Sequence, residues 1–162
     1  MSTAIDKDIN KQYLEAIKCY EMEIVDPSLQ SIESFANLAF LYWSFASEQI
    51  EFNLPNNISD DWSIIGGERF LTTINKGLKK YPDSLELNFW ANYLPYRLNM
   101  TKFSEQDCKN LLIKHNESKS LVPYFFLSLF HKELYKDELK KLLKSCIDSP
   151  TAKNNYIKSF IK

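Results

Sequence analysis

Nine carboxylates stand between Cys19 and Glu68, a fifty-residue stretch with no Lys, Arg or His. They are Glu21, Glu23, Asp26, Glu33, Glu48, Glu51, Asp60, Asp61 and Glu68. Carboxylates at this density could work in pairs as acid and base, hold a metal, or attract a cationic partner. The first role needs two carboxyl groups held across a pocket. The near-adjacent pairs Glu21/Glu23 and Asp137/Glu138 have no pocket-forming context around them. Metal binding needs more ligands than the sequence brings together. Cys108 and His115 could share a helix face, but two ligands do not make a zinc site. His131-Lys-Glu-Leu-Tyr lacks the second His that a zincin helix carries four residues after the first. Gly66-Gly67-Glu-Arg69 lies inside a helical pattern rather than after a strand, so a close helix–helix approach or a kink explains it better than a phosphate loop. No catalytic residue, metal ligand or cofactor is expected, and the chain is read as non-enzymatic. Attraction of a cationic partner remains.

The charge distribution supports that role. Residues 1–62 hold eleven Asp and Glu against three Lys, a net of −8, and the remaining hundred hold ten acids against seventeen bases, a net of +7. A field built this way draws a basic partner to one end of the molecule and repels it from the other. The expected binding residues are Glu21, Glu23, Asp26, Glu33, Glu48, Glu51, Asp60 and Asp61, with Trp62 as an apolar anchor inside the charged rim. The competing reading is a set of solvated helix faces, with Trp62 packed on the core as a helix-start residue. A nucleic-acid partner fits poorly. Lys140, Lys141, Lys144, Lys153, Lys158 and Lys162 could face phosphates, but Arg69 and Arg97 are the only arginines, and the acidic part would repel a polyanion.

The elements that must position these residues are helices. Apolar Ile9, Tyr13, Ile17, Tyr20 and Ile24 recur every three or four residues, which predicts one helix over about Asp6–Val25 with Asp8, Glu15 and Asp26 on its solvent side. Ser34–Ala46 is apolar around most of its circumference, so a helix over about Leu29–Ile50 belongs at the centre. A third helix is expected over Asp60–Tyr81, and a fourth from Leu85 until Pro95 kinks or closes it. Shorter ones open at Ser104, Pro123, Asp137 and Ser149-Pro150, the last with Pro at its first position. Short polar breaks between helices imply antiparallel hairpins, about seven or eight helices in one all-α domain spanning 1–162. Gly is limited to Gly66, Gly67 and Gly77, which argues against β-hairpins and phosphate loops.

Three widely spaced cysteines, Cys19, Cys108 and Cys146, do not form a disulfide framework. No basic-then-apolar leader and no apolar run of about 18 residues is visible. The expectation is a cytoplasmic protein with no membrane partner.

Tyr13-Leu-Glu-Ala-Ile-Lys-Cys-Tyr through Asp26-Pro27, and Phe70-Leu-Thr-Thr-Ile-Asn-Lys-Gly-Leu-Lys-Lys-Tyr-Pro-Asp83, resemble second helices of tetratricopeptide repeats. Each carries a small residue, Ala16 or Gly77, and ends at a Pro that opens the next helix. The resemblance covers about half the chain. It implies stacked helical hairpins with a concave face for protein recognition, and it carries over no individual binding residue. Pro27 and Pro82 lie 55 residues apart, where tandem repeats give about 34 or a multiple. By size, helicity and charge the chain is also similar to immunity proteins of bacterial contact-dependent growth-inhibition and polymorphic toxin systems. That resemblance implies a protein that covers the active site of a cognate basic, nuclease-type toxin with an acidic face. The alternative is a tetratricopeptide-like adaptor or secretion chaperone that cradles a peptide or effector segment.

Overall fold

The computed structural model describes residues 3–162. Nine α-helices follow in order: α1 (Ala4–Ile9), α2 (Tyr13–Val25), α3 (Ile32–Ser47), α4 (Asp61–Lys80), α5 (Leu85–Arg97), α6 (Glu105–Lys114), α7 (Pro123–His131), α8 (Lys136–Asp148) and α9 (Ala152–Ile161). A π-helical turn, Gln49–Asn53, follows α3, and a 3-10 turn, Glu133–Tyr135, leads into α8. No strand occurs among the described residues, so the fold is all-α.

The apolar circumference of α3 is accounted for by its surroundings. Twelve successive residues, Ser34 to Phe45, are buried, and α2, α4, α5 and α9 all pack against this helix. Ser31 opens α3, its hydroxyl accepting from the Ser34 amide at 3.0 Å. The α3–α4 contact is the most extensive in the molecule, and glycine permits it. A β-carbon on Gly66 would stand 2.1 Å from the Tyr42 carbonyl oxygen, and one on Gly77 would stand 2.9 Å from the Phe35 ring. The Gly66 position is thus a close helix–helix approach. Around α3 an aromatic core gathers Phe40, Trp43, Phe89, Trp90 and Phe125, and the Trp43 indole donates to the Leu94 carbonyl at 3.1 Å.

The structure corrects the reading of the first helix, and this raises the helix count to nine. α1 stops at Asn10 and α2 begins at Tyr13 because Lys11 adopts a left-handed conformation, φ 61°. The Gln12 amide donates to the Lys7 carbonyl at 2.8 Å and the Lys11 amide to the Asp8 carbonyl at 2.9 Å, the paired bonds of a Schellman motif. The same pairing recurs at Asn57 (φ 55°) and Asn99 (φ 58°). Gly66 and Gly77 are used for close packing instead, and no glycine has positive φ among the described residues. At the other end of the chain, Pro150 does not open a helix. Thr151 caps α9, its hydroxyl accepting from the Asn154 amide at 3.3 Å.

The break at Lys11 moves Asp8 from the expected solvent side into the interior, where it is 1% exposed. Its carboxylate accepts from the Tyr20 hydroxyl at 2.9 Å and from the Ala152 amide at 2.7 Å. It therefore joins α1 to the first turn of α9. Burial pushes its pKa up to about 6, against the lowering pull of those two donors. The folded chain thus holds this proton more tightly than the unfolded chain, whose Asp titrates near 3.8. The consequence is a penalty on stability that is absent below pH ~4, grows as pH rises to ~6, and reaches on the order of 2–3 kcal/mol at neutrality. Asp8→Asn keeps one of the two acceptor oxygens and removes the titration. Melting curves at pH 4 and pH 7 should show wild type losing stability relative to D8N as pH rises. A constant difference between the two proteins would contradict this assignment.

Candidate protein-binding site

The carboxylates of the acidic stretch fall into three settings. At the α2–α3 junction they support local structure. Glu21 accepts from the Tyr42 hydroxyl, which itself accepts from Arg69 at 3.3 Å. Glu23 accepts from the Ser34 hydroxyl at 2.7 Å. Asp26 accepts from the Ser28 amide at 2.9 Å and hydroxyl at 2.7 Å, and the hydroxyl bond, then the amide bond, holds its carboxyl below the usual range. Glu33 is exposed on the first turn of α3 and lines a recess that also contains Lys119 and Lys153. Cations of the later helices reach the acidic stretch there.

Glu48 and Glu51 occupy the second setting, a cleft of about 400 Å³ between the end of α3 and helix α9. The π-helical turn after Glu48 brings Glu51 back to the same cleft. This wide turn is held by the Phe52 and Asn53 amides on the Glu48 carbonyl, at 2.8 and 3.1 Å, and by the Asn53 side chain donating to the Phe45 carbonyl at 2.7 Å. Burial raises the pKa of Glu48, as does the neighbouring Glu51, and Arg97 partly opposes the shift.

Asp60, Asp61 and Glu68 form the third setting, all exposed along the start of α4. Trp62 is half-buried, its ring edge-on to Phe45 at 5.7 Å, so it fastens α4 to the core. The exposed apolar surface beside these acids comes from residues that sequence reasoning missed: Ile50 at 79%, Leu54 at 73% and Ile64 at 67% exposure. The Gln49 amide donates to the Ser63 hydroxyl at 2.7 Å, tying the π-turn to α4 at residues adjacent to Ile50 and Ile64. Helical phase gives a usable signal for Ile64, which lies two residues before the buried Gly66 and so about 200° round the helix from it.

Among the described residues, no carboxylate from Glu21 to Glu68 forms an ion pair. The residues weighed for metal binding lie apart from these settings. The Cys108 thiol is buried against the Pro123 carbonyl at 3.8 Å, and burial raises its pKa to about 12. A thiol in that state is a poor nucleophile at neutral pH.

No protein-family model, curated protein or solved structure matches the chain. No helix is long and apolar enough to cross a membrane among the described residues. The arrangement places exposed apolar side chains beside exposed carboxylates that form no ion pair among the described residues.

Proposed function

We propose that the chain is a non-enzymatic protein-binding protein of the cytoplasm, and that its partner is basic. The reading favoured is an immunity protein of a contact-dependent growth-inhibition or related toxin system, covering the active site of a nuclease-type toxin. One observation carries it. Three exposed aliphatic side chains, Ile50, Leu54 and Ile64, sit beside Glu51, Asp60, Asp61 and Glu68, none of which forms an ion pair among the described residues. Apolar contacts supply the desolvated centre of an interface, and the rim charge steers encounter. A toxin that binds nucleic acid carries the complementary basic groove.

The test is association with the product of the neighbouring gene, followed kinetically from ~50 to ~500 mM salt. The D60K/D61K/E68K variant, its fold checked by circular dichroism, is expected to slow association by about one order of magnitude or more at low salt. It should also fail to protect cells that express the toxin. An association rate indifferent to both salt and reversal would remove the acidic rim from the mechanism.

A further inference from the structure

The cleft of Glu48 and Glu51 carries an inference that rests on the protein-binding reading above and specifies what the partner inserts. Its floor is aromatic, with Tyr13, Phe40 and Phe52 lining it together with Tyr156 from α9. Its acidic wall is the Glu48/Glu51 pair, and neither carboxylate forms an ion pair among the described residues. Two cations also border the cleft, Lys11 and Arg97. Arg97 lies near the hydroxyls of Tyr156 and Tyr93, which hydrogen-bond each other, and its charge also acts on Glu48, whose pKa it partly lowers. Lys11 is exposed at the break between α1 and α2.

Glu48 is half-buried and Glu51 exposed, and two like charges side by side lower their energy by meeting a further cation. Aromatic faces receive the same cation favourably, above all a guanidinium, and an aliphatic stem packs on them. Ile50, at the rim of the proposed interface, lies between the two carboxylates in sequence, so the cleft opens beside the surface that the partner would cover.

We propose that this cleft takes a basic side chain of the partner, an arginine or a lysine, with its stem on Phe52 and Tyr13 and its charged head between Glu48 and Glu51.

The probe is N-acetyl-arginine N-methylamide, titrated into the full chain while the ring resonances of Tyr13, Phe52 and Tyr156 are followed by NMR. Saturable shifts confined to those rings are expected. The neutral isostere N-acetyl-citrulline N-methylamide should bind about tenfold more weakly, the scale of a lost charge-assisted contact. E48Q/E51Q should weaken the arginine probe to a similar degree, and D60K/D61K/E68K should leave it nearly unchanged. Absence of saturable shifts, or equal binding of the citrulline compound, would overturn the proposal. Tighter binding of free leucine would also overturn it, because that would assign Arg97 and Lys11 to a ligand carboxylate. Arginine binding that survives where the rim variant loses the toxin would separate this cleft from the fate of the wider interface.

Discussion

Gly66→Ala is expected to destabilise the fold by about 3 kcal/mol, at the upper end of what overpacking costs. The added methyl group would stand 2.1 Å from the Tyr42 carbonyl oxygen. That oxygen is backbone in the middle of α3, which is buried on every side, so it cannot rotate away as a side chain would. α4 would have to lift from α3, loosening Phe70 and Ile74 from the core. Gly67 provides the control. A β-carbon there meets only Ala46, at 3.9 Å, and replacing an exposed helical glycine by alanine stabilises by up to about 1 kcal/mol. Urea unfolding of the two variants should therefore give shifts of opposite sign. Equal shifts would mean that the α3–α4 approach is less close than described. Against a usual total of about 5–15 kcal/mol, the Gly66 effect alone would remove from about a fifth to about three-fifths of the stability.

The second large effect concerns Lys153. Its ammonium donates to both Glu86 oxygens, at 3.2 and 3.3 Å, with the lysine side chain 5% exposed and the glutamate 16%. This pair joins the first turn of α9 to the first turn of α5. Lys153→Ala would strand the Glu86 carboxylate largely out of water, with Asp8 losing the same nearby cation. A loss of about 3 kcal/mol is expected, the low end for a broken buried pair because Glu86 keeps some solvent. Replacing both members, K153M/E86L, should recover most of that loss, since it removes the desolvation cost together with the attraction. Thermal unfolding of the single and double variants measures both values. A double variant as unstable as the single one would show that the pair stabilises beyond its own desolvation.

What the sequence made legible follows from how local each signal is. The burial of α3 was visible because no arrangement leaves so apolar a helix on the surface. The cap at Ser104 was visible because the hydroxyl and the amide it serves lie three residues apart. The break at Lys11 was hidden, since the apolar period from Ile9 to Ile24 runs through it and no glycine marks the left-handed residue. Asp8 was misplaced for the same reason. Carrying the α3 pattern on to Ile50 concealed the π-turn and the exposure of that isoleucine. Trp62 stands beside Asp60 and Asp61 in sequence, and its half-buried ring packs edge-on to Phe45, a contact that its place in the chain does not foretell. Glu33 comes to line one recess with Lys119 and Lys153 only through the tertiary fold, at separations where sequence patterns carry no information.

The bond from Asp8 to the Ala152 amide spans 144 positions, and it bears on the order in which the molecule assembles. Closing so long a loop is entropically costly and is late when local helices form first. The opening turn of the last helix gains its acceptor only when the first helix is docked. Those two segments should therefore open as one cooperative unit, with the Ala152 amide proton exchanging with solvent at the rate at which α1 detaches.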